Sequence, residues 1–281
     1  TTPRHKIVSS LIEAWADEYW LPTAMHFRWS YPENFRDRFQ PEVGDNLLPF
    51  MPRFIKNRAV TRVATLLRSY LPSVGVVPGQ HDIIERWTHE QLDLLDTHFA
   101  QYAYLLGSKP CMGDFGLIGP LYAHLGRDPW PARELIAKRP NLHAWVKRMM
   151  YPPQPQAGRF LPDDAIPDTL LPLLKSVFGE FWPQLQLTLA EMERTRANLK
   201  PGRGWSRMLG MIDVPMANAT LRVGARPFSL WMAQRSLDTF KALPAADRAS
   251  VQDWLNSIGA GDALKLAIPR LRQVALRVAP E

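Results

Sequence analysis

The side chains best suited to binding a small molecule lie near the start of the chain. Trp15, Tyr19, His26 and Trp29 fall on one predicted helix, close to Pro22. Tyrosine and histidine combine an apolar body with a polar tip, so they can line an apolar pocket and orient a ligand in it. Because Pro22 lacks the amide that the helical ladder needs, it should kink or end the helix and open a gap there. We predict a substrate-binding site at this point; the alternative is that the aromatic stripe is simply core.

The other residues that could act in catalysis or metal binding have no suitable partner nearby in the sequence. Cys111 lies at a predicted helix start, where the helix N-terminus would lower the thiol pKa, but no histidine lies near it in sequence. The histidines have no HxxxH or HExxH spacing, and there is no cysteine pair. Asp17 and Glu18 are neighbours, and neighbours on a helix point apart. We therefore predict no catalytic residue and no metal site.

Residues 95–149 carry the most regular local signals. Helical spacing precedes a break at 107–110, and a nearly uncharged run follows at 112–125. Asp114 stands three residues after Cys111, a capping-box arrangement in which the acid accepts from the free amide of the cap residue. A thiol is a weak acceptor, so Asp114 should be the stronger half of the box. Because the run at 112–125 is apolar on all sides, we expect a buried helix.

This order of elements resembles the all-helical C-terminal domain of glutathione S-transferases. The matching pieces are LLGSKP, the cap and acid at Cys111 and Asp114, the run GLIGPLYAHL, and residues 140–145. The resemblance implies an apolar pocket for an electrophilic substrate, to which the helix after the cap would add Phe115 and Tyr122. It also implies glutathione as the co-substrate.

In that family an N-terminal thioredoxin-like domain holds most of the glutathione site and activates the thiol. No pattern of such a domain precedes Ile7, where a helix begins. Either the chain is a fragment without this partner domain, or the protein acts without the usual glutathione site. We predict transferase activity for the full-length parent, acting on a small apolar electrophile, and expect this chain alone to be inactive. A non-catalytic helical protein-interaction module is the alternative.

The composition narrows the class of protein. The chain has 281 residues, 46% of them hydrophobic, one cysteine and a formal net charge of +7. This length supports a sizeable core, and a single cysteine excludes an internal disulfide framework. No uncharged apolar run approaches the ~18 residues of a membrane-spanning helix, and the basic residues are scattered singly. We expect a cytoplasmic protein that binds neither nucleic acid nor a membrane; a homodimer stays open.

Helical periodicity covers most of the sequence, and short loops join the helices. We predict a mainly α protein in which residues 1–150 form a helical bundle like that of the glutathione transferases. Residues 151–281 form a helical extension with a small antiparallel β-sheet. The proline-rich segment 151–158 is the predicted boundary, and residues 30–48, with prolines and a glycine, are predicted to be a loop.

The predicted sheet rests on β-branched and alternating segments. Residues 211–216 and 220–223 suggest a hairpin. Apolar residues alternate with others over 274–278, which predicts a last strand. This strand could complete the sheet beside the hairpin.

Overall fold

The structure, a computed structural model, describes residues 2–151, 158–199 and 203–281. Most of the described chain is helical, with two small antiparallel hairpins, so the predicted mainly α class is confirmed. The predicted linker at 151–158 falls almost entirely outside the described residues. One hydrophobic cluster contains buried residues of both predicted domains, from Ile7 to Val278, and the domain boundary stays a prediction.

The α-helices follow one another along most of the described chain. In chain order they are α1 (Pro3–Tyr19), α2 (Leu21–Ser30), α3 (Gln40–Leu47), α4 (Arg53–Arg68), α5 (His81–Phe99), α6 (Met112–Ile118), α7 (Pro129–Pro131), α8 (Pro140–Met150), α9 (Leu171–Ser176), α10 (Trp182–Arg194), α11 (Pro227–Lys241) and α12 (Ala245–Ser257). Wider π-helical turns occur at Asn34–Phe39, Gly119–Gly126, Ala132–Ile136 and Val177–Phe181. The loop predicted at 30–48 is therefore wrong. Pro41 lies just after the π-helical turn Asn34–Phe39, so the chain stays helical through a residue that has no N–H to donate.

The N-terminus of α1 is capped by a residue from far along the chain. The Asp164 carboxylate accepts hydrogen bonds from the backbone N–H of Arg4 at 2.8 Å and of His5 at 3.2 Å. These amides have no partner within the helix, and a carboxylate also meets the positive end of the helix dipole. A contact between residues so distant in sequence ties the segment before α9 to the start of the chain.

Helix α6 packs with its backbone directly against α1. A Cβ at Gly116 would lie 2.9 Å from the Cα of Glu13, and one at Gly113 would lie 3.2 Å from the side chain of Ile12. Glycine is therefore needed for the close approach of the two helices. The other side of α6 carries Met112 and Phe115, which are both exposed. The expectation of a helix buried on all sides is thus wrong, because the rest of the described chain covers only part of its surface.

The capping box at the start of α6 is present as predicted. The Asp114 carboxylate accepts from the backbone N–H of Cys111 at 2.9 Å and of Leu105 at 3.1 Å, and from Nε1 of Trp145 at 3.0 Å. Asp114 is fully buried. One carboxylate therefore fixes the loop before α6, the cap of α6 and a side chain of α8.

The β-structure consists of two separate hairpins. The strands are β1 (Met211–Met216), β2 (Ala219–Gly224), β3 (Leu271–Val274) and β4 (Arg277–Pro280). The first hairpin is confirmed, with Ile212 paired to Val223. The last strand beside it is wrong. Ala275 has φ 52°, and the chain turns back there so that Val274 pairs with Arg277 in a hairpin of its own.

We expect Asp114→Ala to destabilise the fold strongly. The substitution leaves three buried N–H donors without an acceptor, each costing about 1–3 kcal/mol, so the free energy of unfolding should fall by at least about 3 kcal/mol. Urea unfolding followed by circular dichroism measures it. Cys111→Ser is the control, because it changes the cap residue and keeps the carboxylate; it should stay within about 0.5 kcal/mol of the wild type. A loss below about 1 kcal/mol for Asp114→Ala would contradict the role given to this carboxylate.

Candidate functional site

The break between α1 and α2 leaves a backbone carbonyl without a helical hydrogen bond, and an arginine distant in sequence donates to it. Pro22 lies in the first turn of α2 and has no N–H to donate to the carbonyl of Glu18, four residues earlier. Nη2 of Arg226 donates to that carbonyl oxygen at 2.8 Å. The proline therefore ends α1 and leaves a carbonyl that anchors the residue just before α11.

The Glu18 side chain strengthens the same junction. Its carboxylate accepts from the Ser229 hydroxyl at 2.6 Å and lies 3.6 Å from Nη2 of Arg226. Burial raises the pKa of Glu18, while Arg226 and Ser229 act to lower it. The end of α1 is thus fastened to the first turn of α11 by a buried, charge-assisted contact.

A cleft of about 420 Å³ lies beside this junction. It is formed where the end of α1, the start of α11 and the second hairpin come together, and its walls are mainly apolar. The apolar walls come from Leu21, Phe228, Leu276 and Val278, and the guanidinium groups from Arg207, Arg226 and Arg277. Arginine binds carboxylates through a planar fork of donors. A site of this composition suits a small apolar molecule that carries an acidic group.

A larger groove of about 720 Å³ lies between α5, α9 and the turn of the first hairpin. It contains Glu90, Asp93, Lys175 and Glu180 among its lining residues. The Glu180 carboxylate already accepts from Nε1 of Trp87 at 2.7 Å and from the Ala217 N–H at 2.8 Å. Because its carboxylate joins α5 to the hairpin turn, and because its lining is more polar, this groove is a weaker candidate for an apolar ligand.

Comparison with known families gives one match. Residues 88–148 match the family model described as the glutathione S-transferase C-terminal domain. This segment is therefore similar to the glutathione S-transferase C-terminal domain. No curated protein and no solved structure matches the chain. The match runs from α5 to α8 and contains Asp114, whereas the cleft lies outside it.

Of the predicted substrate-binding residues, Trp15 and Tyr19 lie in the hydrophobic core. Both are fully buried, and with Trp20 and Trp87 they form edge-on aromatic contacts with ring centroids 5.0–5.9 Å apart. The Tyr19 hydroxyl donates to the Pro215 carbonyl at 2.6 Å, and burial raises its pKa. These side chains support the α1–α2 junction from beneath, and a direct contact with substrate stays a prediction for them.

His26 and Trp29 lie on α2, away from the cleft walls. His26 is buried, with Nε2 2.7 Å from a Glu85 carboxylate oxygen and Nδ1 3.0 Å from the Ser30 hydroxyl. Burial lowers the pKa of His26, while the hydrogen bond to Glu85 acts to raise it. Trp29 packs edge-on against Phe39 at 4.9 Å between centroids. Both residues have partners within the protein, so nothing in their contacts requires a ligand.

Phe115 lies on the outward side of α6, and Tyr122, on the π-helical continuation of α6, packs partly against the core. Phe115 is 56% exposed and Tyr122 is half-buried. Neither is among the lining residues of the cleft. The structure therefore does not bring the six predicted substrate-binding residues together, and their role in binding stays a prediction.

Sequence reasoning missed the residues that form the cleft. Arg226 precedes a helix, and Leu276 and Arg277 lie in a hairpin that was predicted as one strand. The available signal was Pro22, which frees the Glu18 carbonyl, but the residue that would satisfy it could not be located from spacing alone.

Cys111 does not have the properties of a nucleophile. Its side chain is buried, and burial, together with the nearby Asp114 carboxylate, raises the thiol pKa to about 12. The expected lowering by the helix N-terminus is therefore wrong, since burial outweighs it. In the described ranges no three His, Cys, Asp or Glu side chains cluster as metal ligands would. The helices described are also all too short or too polar to cross a membrane.

Asp17 supports a test by pH. Asp17 is partly exposed, and its pKa is raised to about 6 by partial burial, by Glu13 and by Glu18, with Arg235 opposing. Because the folded-state pKa lies above the ordinary 3.8, the folded state binds more protons, and its stability falls as pH rises from about 4 to 6. Asp17→Asn should therefore stabilise the protein above pH 6, by about 0.5–1 kcal/mol after solvent screening, and should have no effect below pH 4.

Thermal unfolding across this pH range measures the effect. Asp253→Asn, at an exposed position on α12, is the matched control and should leave the pH profile unchanged. A stability profile of Asp17→Asn parallel to that of the wild type would contradict the electrostatic role given to Asp17.

Proposed function

We propose that this chain is the substrate-pocket part of a glutathione S-transferase-like protein. The parent protein would transfer glutathione to a small apolar electrophile, or reduce one, while the electrophile occupies the cleft at the α1–α2 break. One observation carries the proposal: a chain with a glutathione S-transferase C-terminal domain at 88–148 has an apolar cleft with converging arginines.

The lining suggests how the cleft would hold its ligand. Leu21, Phe228 and Leu276 would remove the apolar part of the electrophile from water, which is the main source of affinity in such sites. Arg207 and Arg277 are exposed at the same cleft. Each could therefore bind a carboxylate of the substrate or of glutathione. The buried pair of Glu18 and Arg226 would keep the floor rigid.

Thiol activation is assigned to a partner domain. By resemblance we propose a thioredoxin-like domain as the source of the activating residue and of most contacts with glutathione. The burial of Cys111 agrees with this division, because a buried thiol whose pKa is raised by burial is poorly placed to act as a nucleophile.

The second candidate function is a non-catalytic interaction module. Exposed apolar side chains on α4 and α6 favour this function, because large exposed apolar patches are typical of protein–protein contact sites. The two functions differ in what the cleft does, because an interaction module would not need it to bind a small apolar acid.

A fluorescent apolar anion, anilinonaphthalene sulfonate, tests the cleft directly. Leu276→Asp should weaken its binding by at least about tenfold, because it removes an apolar wall and adds a like charge. Leu187→Asp is the matched control on α10, at a leucine that is also partly exposed; its affinity should equal that of the wild type. Fluorescence titration provides both values.

Two outcomes would contradict this assignment. Equal loss in both variants would mean that the probe binds the surface non-specifically. Loss of binding in Tyr19→Phe, with Leu276→Asp unaffected, would move the site to the aromatic cluster. In the companion assay with glutathione and a general electrophile, the chain alone should give no measurable turnover, and robust turnover would contradict the need for a partner domain.

A further inference from the structure

Helices α3 and α4 form an antiparallel arm, defined here as residues 40–70. On its inner side Val60 and Ala64 are buried against α3, and a Cβ at Gly44 would lie 3.1 Å from Cβ of Lys56. Nζ of Lys56 reaches Asp45 at 2.8 Å. Helix α4 packs chiefly against α3, so most of its circumference is left without a partner in the described structure.

One apolar stripe runs along the outer side of α4. Ile55, Ala59, Val63, Leu66 and Tyr70 follow one another at intervals of four, four, three and four residues, which places them on one stripe of the helix. All but Ala59 are exposed large hydrophobic residues. Because the rest of the described chain leaves this apolar stripe uncovered, the stripe is a candidate contact surface.

The tip of the arm is apolar as well. Phe50, in the turn between the two helices, is 95% exposed, and Phe54, in the first turn of α4, is 73% exposed. Met51 lies between them and is also exposed. Aromatic side chains as exposed as these add nothing to the core. They are therefore available for contact with a partner.

The arm carries a net positive charge. Residues 40–70 contain five basic and two acidic residues. Both acids are already paired, Asp45 with Arg53 and Lys56, and Glu42 with Arg38 and Arg127. Arg58 and Arg62 follow the stripe residues Ile55 and Ala59 by three positions and are exposed beside it. The charge that the stripe presents to a partner is therefore positive.

We propose that the arm docks on an anionic lipid surface. An amphipathic helix with apolar and basic faces lies in the plane of a membrane interface, with its apolar face between the headgroups and its basic residues on lipid phosphates. Here the stripe and the tip phenylalanines enter the interface, and Arg58 and Arg62 bind the headgroups. This proposal replaces the sequence-based expectation that no membrane is a partner. It needs only contact with the surface, in agreement with the finding that no described helix can span a bilayer.

A second copy of the chain fits the arm less well. A symmetric dimer pairs the same patch with itself. Two antiparallel stripes would set Arg58 and Arg62 of one copy along the same arginines of the other, which is unfavourable for like charges at close range. An anionic lipid surface covers the same stripe and compensates the charge.

Co-sedimentation with lipid vesicles tests the proposal on the full chain. The protein should bind vesicles of phosphatidylcholine with phosphatidylserine, bind phosphatidylcholine alone much more weakly, and be released by high salt. Arg58→Gln with Arg62→Gln should lower the affinity about thirtyfold, from about 1 kcal/mol for each arginine at the surface. Phe50→Ser with Phe54→Ser should abolish binding. Lys241→Gln with Arg272→Gln, at exposed positions outside the arm, is the charge-matched control and should bind like the wild type.

Circular dichroism should show each variant to be folded like the wild type, since the changed side chains are all exposed. Equal binding to neutral and anionic vesicles would overturn the proposal, as would arm variants that bind like the control. Absence of vesicle binding, together with a concentration-dependent dimer that Val63→Asp dissociates in sedimentation velocity, would overturn it in favour of a second copy.

Discussion

The buried carboxylate of Asp114 is the interaction on which the helical core depends. Burial raises its pKa, and the donors from Leu105, Cys111 and Trp145 are what keep a charge tolerable there. These donors belong to the loop before α6, the cap of α6 and helix α8. With its start fixed in this way, α6 can lie so close to α1 that a side chain at Gly116 would not fit. The segment that matches the glutathione S-transferase C-terminal domain is built around this one group.

Other helix ends and turns are also held by hydrogen bonds to side chains that are distant in sequence. Asp164 caps α1, and Arg226 satisfies the Glu18 carbonyl that Pro22 leaves without a donor. Glu180 holds the turn of the first hairpin through the N–H of Ala217, a residue with φ 49°. An alanine in that left-handed conformation is strained, so the buried hydrogen bond helps to hold the turn. Each of these contacts joins the first part of the chain, or the hairpins, to the helices after residue 158.

The features that the sequence predicted correctly depend on interactions between residues close together in the chain. The box of Cys111 and Asp114, the break at Pro22 and the hairpin at 211–224 depend on residues a few positions apart, and all three are present. Helix α3 was missed because a proline within its first turn reads as a loop signal although it is compatible with a helix. The cleft could not be found, because Glu18, Arg226 and Leu276 meet only through the packing of α11 against α1 and against the second hairpin.

In the function proposed above, helix packing and ligand binding are divided along the chain. The matched segment, 88–148, supplies packing and a buried capping network, while the walls of the cleft come from the end of α1 and from residues after 205. Because function is determined by the site and not by the scaffold, the ligand class could change through substitutions at positions such as Phe228 or Leu276 without touching the Asp114 network. The junction of Glu18 and Arg226 is the exception. It forms part of the cleft and also holds α1 to α11, so a change there alters binding and stability together.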